Sequence, residues 1–242
     1  MENKAHTEEF YVASIDLLGV KGIIKSDVDD KNLNQIKNIY SSWKEMLEKD
    51  GYFQEMKIRF FSDNCVIALQ ASKLEAADKI FETTARICRF FLKRGYKPRG
   101  GITKGQFYID EIFVWGPALV DAYLIESKQA IYPRIVIDEK IINEAREHLR
   151  NQLIYKDEDE KMCLNYLKSF GGNREAWIKD IEEMLRSVNQ EIRKLQEDKK
   201  NKKIMDKLIW LKEFEEKNLQ FWMKKNENVD NTPVVEETNL KA

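Results

Sequence analysis

Two kinds of apolar pattern alternate along the first 150 residues. Continuous or alternating apolar runs, typical of strands, fall at 10–18, 56–61, 65–69, 99–109, 112–115 and 134–137. Apolar residues recur at helical spacing over 32–47, 74–92 and 117–126. Asp138 is a candidate N-cap for a further helix that ends near Leu149. The predicted order, β-α-β-β-α-β-(β)-α-β-α, indicates an α+β fold with a ferredoxin-like sheet and helices on one face.

The pattern changes after about residue 155. A charged loop is predicted over 156–161, and Gly171 and Gly172 interrupt the chain before a stretch over 174–225 that lacks Gly and Pro. Apolar residues recur there at helical spacing in two blocks, with a turn predicted over 198–203, which indicates a helical hairpin. We therefore predict a domain over 8–155, a C-terminal helical extension over 156–225 and a disordered tail over 226–242.

Composition and charge exclude several classes of protein. The 242 residues carry 41 basic and 42 acidic side chains, a net charge of -1, which disfavours a general nucleic-acid binder. Two histidines are too few for a multi-histidine metal centre. The three cysteines lack CxxC spacing and are expected to be free thiols in a reducing cytoplasm. The polar start and the absence of an apolar run of about 18 residues predict neither secretion nor a membrane span.

Two acids stand in unusual surroundings. Asp16 interrupts an apolar strand, and Asp63 lies at the predicted tip of a hairpin between two apolar strands. A carboxylate in such a place is unfavourable unless it is paired or binds a metal ion, and a divalent cation would relieve the repulsion between two of them. The alternative is that Asp63 is only a turn residue and Asp16 only a strand-end acid.

Five segments occur in one order that resembles a known family. They are SIDLLGVKGI, FFSDNCVIAL, RGGITKGQFY, VWGPALVDAYLIE and YPRIVID, and together they resemble the class III nucleotidyl cyclases, the catalytic domains of adenylate and guanylate cyclases, over about residues 8–140. Asp16 and Asp63 match the two metal-binding aspartates of that family, with Ser62 in place of a glycine. The resemblance implies a nucleotide cyclase domain over 8–155 that acts as a homodimer.

Within that family the chain looks most like the pyrimidine cyclases of bacterial Pycsar anti-phage systems. This resemblance implies an enzyme that makes cyclic UMP or cyclic CMP from UTP or CTP, releases pyrophosphate and signals to a separate effector protein in the cytoplasm. It also implies two Mg²⁺ or Mn²⁺ ions per site, bridged by Asp16 and Asp63 with the Leu17 carbonyl as a further ligand. Neither a nucleic acid nor a membrane is an expected partner.

The chain departs from the family at four positions. Val120 stands where the family has the asparagine that orients the ribose, and Leu124 where it has the arginine that stabilises the transition state. Arg59 and Phe113 occupy the two base-reading positions, so a base other than a purine is expected, with Tyr40 and Tyr123 as further candidates for base contacts. A catalytically inactive module that binds a nucleotide or a partner is the alternative.

Three cations near these motifs are candidates to replace the missing arginine: Arg99, Lys104 and Arg134. A solubilising role for Lys104 and a structural ion pair for either arginine are equally open at this point.

Overall fold

The structure is a computed structural model that describes residues 5–25, 30–49, 54–168, 173–196 and 202–224. The predicted tail, the Gly171–Gly172 breaker and most of the predicted turn over 198–203 lie outside the described residues. The strands are β1 (Glu8–Leu18), β2 (Lys57–Phe61), β3 (Asn64–Gln70), β4 (Lys97–Ile109), β5 (Val114–Trp115), β6 (Ile135–Ile137), β7 (Ile154–Lys156) and β8 (Met162–Leu164). The helices are α1 (Val20–Lys25), α2 (Lys31–Lys49), α3 (Ala76–Leu92), α4 (Pro117–Gln129), α5 (Glu147–Leu153), α6 (Arg174–Gln196) and α7 (Lys202–Lys224).

The described strands form one mixed sheet in the order β2-β3-β1-β4-β6-β8-β7, and β5 pairs with the far end of β4. The first four strands are antiparallel in the ferredoxin-like order that the sequence predicts, and β6 joins β4 in parallel. The α+β prediction is therefore confirmed. Strand β1 is central because its apolar residues are buried on both faces.

Helices cover both faces of the sheet, so the prediction of helices on one face was wrong. Helix α3 packs with Ala13, Ile15 and their neighbours in the main core, whereas Ala118 and Ala122 of α4 pack on the opposite face with Val12. The close approach of α4 is possible because β4 carries a glycine beneath it. A Cβ atom at Gly101 would lie 2.4 Å from the carbonyl oxygen of Ala122.

Three local elements differ from the sequence prediction. The side chain of Asp138 accepts a hydrogen bond from the Lys140 amide, but the predicted helix is split into a 3₁₀ helix (Glu139–Glu144) and α5. Helix α1 follows β1 directly and was not predicted. The charged loop over 156–161 joins β7 to β8. Because β8 pairs with β6, the sheet continues past residue 155, where the sequence predicts a domain boundary.

The predicted C-terminal helical hairpin forms, and it packs against its own chain. Leu208, Leu211 and Phe214 of α7 are buried in the main core, and the Trp210 ring stacks on Tyr132 with centroids 5.7 Å apart. Arg89 of α3 donates to Asp180 of α6 at 2.8 Å. Within the described residues, no helix is both long and apolar enough to cross a lipid bilayer.

Candidate functional site

The two singled-out acids lie close together at one end of the sheet. Asp16 is near the end of β1, paired with Asn64 of β3, and Asp63 directly precedes Asn64 in the β2–β3 turn. The amide of Leu17 donates to the Asp63 carbonyl at 3.0 Å, which holds the turn against the end of β1. Asp16 is 5% exposed and Asp63 is 3% exposed, so both carboxylates are shielded from water.

The turn that carries Asp63 is strained but supported. Ser62 has a φ of +57°, a conformation that costs a residue with a side chain about 1 kcal/mol. The hydroxyl of Tyr40 donates to the Ser62 carbonyl at 3.2 Å, and its ring stacks on Phe60 at 4.3 Å. Tyr40 therefore supports the hairpin that positions Asp63.

One oxygen of Asp63 lacks a hydrogen-bond donor. Its Oδ1 accepts from Asn64 Nδ2 at 3.2 Å, whereas Oδ2 is buried without a partner among the described residues. The N–H and C=O groups of a strand residue point to the same side, so the Leu17 carbonyl also faces this turn. A buried carboxylate oxygen without a partner among the described residues, beside a backbone carbonyl that faces the same turn, is a suitable set of ligands for a hard cation.

Arg99 joins Asp16 to a third buried acid. Its Nε donates to Asp16 Oδ2 at 2.8 Å, and its Nη2 lies 2.8 Å from Oε1 of Glu126 on α4. Glu126 is 1% exposed, and burial raises the pKa of its carboxyl, while the Arg99 charge opposes that rise. The charges of Asp16 and Asp63 also raise this pKa and that of Lys21 lowers it, so the three acids interact, and two of them, Asp16 and Glu126, share Arg99.

Glu126 is not among the site residues that the sequence predicts, although the sequence contains a signal for it. Ala118, Ala122 and Ile125 recur on the buried face of α4, and Glu126 continues that face at four residues from Ala122. An acid on an apolar helix face requires a buried partner. What the sequence does not show is that this face packs over Gly101, two residues from Arg99 on the same strand.

Arg59 and Phe113 are held by one loop. Arg59 Nη2 donates to the carbonyl oxygen of Asp110, and the Oδ1 atom of Asp110 accepts from the Phe113 amide at 2.6 Å. The Phe113 ring is half exposed and stacks on Trp115 with centroids 6.0 Å apart. The structure thus brings the two candidate base-reading positions to either side of Asp110.

Lys104 and Arg134 are engaged elsewhere. Lys104 points to the face of the sheet opposite Arg99, because the two are five residues apart on β4, and it pairs with Glu144 at 2.9 Å and Glu9 at 3.4 Å. Arg134 is buried and donates to Asp157 at 2.6 Å and to Asp159 at 2.5 Å and 2.7 Å. Of the three candidate cations, the structure brings only Arg99 to the paired acids.

The outer side of α4 borders a groove of about 570 Å³. Leu124 lines it together with Lys128 of the same helix and Lys140 and Lys161 from the other wall. Val120 and Tyr123 are more than half exposed on α4. The positions at which the chain departs from the cyclase pattern are therefore accessible to a ligand or to a second chain, whereas Glu126 faces inward.

The described residues contain no cluster of three or more acidic, histidine or cysteine side chains suited to a metal ion. The residues that could hold a divalent cation are Asp16 and Asp63 with the Leu17 carbonyl. They fit such an ion because Asp63 Oδ2 is buried and has no partner in the part of the chain that the structure describes, and because hard cations prefer oxygen ligands. A cation bound there would add positive charge beside three buried acids, of which only Asp16 and Glu126 pair with Arg99.

Comparison with known proteins gives only distant structural likenesses. No family model matches the chain, and no curated protein sequence matches it. The adenylyl cyclase CyaB from P. aeruginosa is 14% identical over 65% of this chain and 92% of its own, with a TM-score of 0.46. The monomeric guanylyl cyclase domain of a RhoGC fusion protein from the aquatic fungus Blastocladiella emersonii is 14% identical over 66% and 96%, with a TM-score of 0.48. A class III adenylyl cyclase-like ATP-binding protein from Pseudomonas aeruginosa is 9% identical over 67% and 40%, with a TM-score of 0.46. No function follows from likenesses at this level.

Proposed function

We propose that the chain is a nucleotide cyclase that converts UTP or CTP into the cyclic monophosphate and pyrophosphate. The observation that carries the proposal is the pair of buried acids where the β2–β3 turn meets the end of β1, beside the partly buried Arg99. One of these acids, Asp63, keeps an oxygen that has no partner among the described residues. Structural scaffolds seldom retain an unpaired buried carboxylate oxygen. The five sequence motifs that resemble class III nucleotidyl cyclases place Asp16 and Asp63 in the same role.

At the α-phosphorus, the reaction forms one bond and breaks one. The 3′-oxygen of the ribose attacks the α-phosphorus, the bond from that phosphorus to the bridging oxygen of the β-phosphate breaks, and pyrophosphate leaves with that oxygen. The O–H bond of the 3′-hydroxyl also breaks, and its proton passes to water. Asp16 and Asp63 would hold Mg²⁺ or Mn²⁺, which supplies charge stabilisation to the triphosphate and acidifies the hydroxyl.

The residues of the chain contribute positioning and charge. Arg99 is held at both ends by Asp16 and Glu126, so its guanidinium is fixed at the site before substrate arrives. Its remaining donor capacity suits the triphosphate better than the sugar, since guanidinium groups pair with phosphate oxygens in a planar fork. Lys104 and Arg134 have no part in this mechanism, because their charges are bound in other ion pairs.

The choice of a pyrimidine rests on Arg59 and Phe113. A guanidinium can donate to O2 or O4 of a pyrimidine, and an aromatic ring beside it narrows the space for a purine. Asp110 joins the two residues, so they can act together on one base. If Arg59→Glu left the nucleotide preference unchanged, this basis for pyrimidine selection would be lost.

We also infer that two copies associate through the β4–β5 hairpin and α4. Ile112 is 96% exposed and Trp115 is 64% exposed on the hairpin, and Val120 and Tyr123 are exposed on α4. Apolar groups exposed together in this way favour an interface. Trp115→Glu should convert a dimer into a monomer in analytical ultracentrifugation, and a wild-type chain that is monomeric at all concentrations would contradict the dimer.

The proposed biological role follows from the same resemblance. A cyclic pyrimidine nucleotide would act as an alarm signal during phage infection, read by a separate effector protein. Cells that carry the cyclase and its effector should resist phage, and Asp63→Ala should remove that resistance.

The test of the enzyme is a product assay. Purified protein is incubated with ATP, GTP, CTP and UTP in the presence of Mn²⁺, and the products are separated by mass. We expect cyclic UMP or cyclic CMP from the wild type and no cyclic product from Asp63→Ala. A cyclic purine would retain the cyclase and overturn the pyrimidine assignment.

An inactive binding module is the second candidate, and the positions of Val120 and Leu124 favour it. Neither Lys104 nor Arg134 replaces the missing arginine on α4 within the chain. No cyclic product from folded wild-type protein, together with nucleotide binding detected by calorimetry, would support this candidate.

A further inference from the structure

The β2–β3 hairpin ends in a turn whose first residue would ordinarily be a glycine. Phe61 pairs with Asn64, so Ser62 and Asp63 form a two-residue turn. The φ of Ser62 is +57°, and a positive φ at the first position of such a turn favours glycine. The conformation of Ser62 therefore needs support from neighbouring groups.

Two hydrogen bonds from outside the hairpin support this turn. The Leu17 amide donates to the Asp63 carbonyl at 3.0 Å, and the Tyr40 hydroxyl donates to the Ser62 carbonyl at 3.2 Å. The first donor belongs to the backbone of β1, and the second belongs to a side chain of α2. Tyr40 is therefore a side chain that fixes the backbone immediately before Asp63.

Aromatic contacts hold the Tyr40 hydroxyl in place. The ring of Tyr40 stacks on Phe60 with centroids 4.3 Å apart and meets the Phe91 ring of α3 edge-on at 5.6 Å. Trp43, one turn further along α2, is buried and contacts the Phe60 ring edge-on at 5.6 Å. Burial raises the pKa of Tyr40, so its hydroxyl stays protonated and can donate. These contacts assign Tyr40 to the turn rather than to a nucleotide base.

Without a cation, two effects act against the position of Asp63. Its Oδ2 is buried without a partner among the described residues, and Asp16 lies opposite Asn64, the residue after Asp63. A buried oxygen without a donor and the repulsion between two carboxylates both favour a turn that moves Asp63 away from Asp16. A hydrogen bond to the preceding carbonyl opposes that movement. A ligand group that is held in its binding orientation before the ion arrives gives tighter binding.

We propose that Tyr40 is a positioning residue for a divalent cation, and that its hydrogen bond to the Ser62 carbonyl keeps Asp63 Oδ2 directed toward the ion. The inference rests on the proposed function, in which Asp63 is a metal ligand, and it adds α2 to the elements that shape the site. Helix α4 acts on Asp16 from one face of the sheet through Arg99, and α2 acts on Asp63 from the other face.

The test measures metal binding without a nucleotide. Mn²⁺ is titrated into the full-length wild type, Tyr40→Phe and the matched control Tyr132→Phe, and free Mn²⁺ is measured by electron paramagnetic resonance. The Tyr40→Phe substitution keeps the ring and removes only the hydroxyl. We expect it to weaken Mn²⁺ binding about fivefold, the effect of one neutral hydrogen bond. Tyr132 stacks on Trp210 of α7, and its variant should bind Mn²⁺ as the wild type does.

Ser62→Gly distinguishes positioning from packing. Glycine adopts a positive φ without strain, so the turn depends less on the Tyr40 hydroxyl. In this background, Tyr40→Phe should weaken Mn²⁺ binding by less than about twofold, because the two substitutions act on one turn and are coupled. An equal fivefold loss in both backgrounds would overturn the role of the turn. A Tyr40→Phe variant with a lower unfolding temperature but unchanged Mn²⁺ affinity would show a packing role and overturn the proposal.

The outcomes separate the two proposals. If the wild type and Tyr40→Phe bind Mn²⁺ equally, the positioning role is wrong, and the cyclase proposal stands on its product assay. If Tyr40→Phe shows the expected loss but the wild type forms no cyclic product, the positioning role stands and the cyclase proposal fails. If the wild type binds no Mn²⁺, the positioning role fails whatever the product assay shows.

Discussion

The Nε atom of Arg99 lies 2.8 Å from Oδ2 of Asp16, and this contact joins the centre of the sheet to the helix on its second face. The other end of the same guanidinium reaches Glu126, so one arginine couples β1, β4 and α4. Each partner is buried, and the loss of any one leaves an uncompensated charge. The contacts of Arg99 with Asp16 and Glu126 therefore link the candidate site to the packing of α4.

Glu126→Ala should destabilise the protein by about 3 kcal/mol, because it leaves part of the Arg99 charge buried without a partner. The matched control is Asp121→Ala, an exposed acid on the same helix, for which a change within about 0.5 kcal/mol is expected. Urea unfolding measures both values. Equal effects of the two substitutions would show that the Arg99–Glu126 pair does not hold α4 in place.

Asp63→Asn should distinguish the effect of the buried Asp63 charge on the stability of the free protein from the role of Asp63 in binding a metal ion. Removal of the charge leaves the free protein as stable as the wild type or more stable by about 1 kcal/mol, because the buried Oδ2 has no partner among the described residues to lose. Stabilisation by Mn²⁺ in a thermal unfolding assay should be lost. Glu111→Gln, at an exposed acid in the β4–β5 turn, is the control and should respond to Mn²⁺ as the wild type does. An Asp63→Asn variant still stabilised by Mn²⁺ would exclude Asp63 as a ligand.

Gly101→Ala should disturb both fold and site. The added methyl group would lie 2.4 Å from the Ala122 carbonyl oxygen and 2.7 Å from the Ile125 Cβ, so α4 must move, at a cost of about 2 kcal/mol. Gly105→Ala on the same strand is the control, since its nearest neighbour, the Ala118 Cβ, would be at an ordinary 3.5 Å. Chemical denaturation should show a loss only at Gly101. A tolerated Gly101→Ala would mean that α4 is not packed closely on β4.

Glu215 should make stability depend on pH. Burial on α7 raises its pKa to about 8, opposed by Lys97 and reinforced by Glu191 and Glu216. The unfolded chain releases this proton near the ordinary value of 4.5 and the folded chain only near 8, so the contribution to stability falls as pH rises between these values. Glu215→Gln should flatten the profile and raise the free energy of unfolding above pH 8. The exposed Glu213→Gln is the control, and identical profiles for both variants would contradict the assignment.

The sequence by itself determined the elements of the central sheet and the two acids. Apolar runs of strand length and helices of amphipathic spacing are local signals, so the order of β1, β2, β3 and β4 with their helices could be predicted from them. Asp16 and Asp63 were recognisable because an acid among apolar strand residues is itself a local anomaly. The helical hairpin could be predicted because a long C-terminal stretch lacks Gly and Pro.

Tertiary structure alone decided which charges meet. Lys104 and Arg99 are both basic residues of one strand, but the alternation of side chains sends them to opposite faces, and only Arg99 meets the acids. Arg134 is a candidate site residue by sequence, but in the structure it pairs with Asp157 and Asp159 on the β7–β8 hairpin. Long-range packing sets these relationships, and packing depends on shape and burial that no local pattern records.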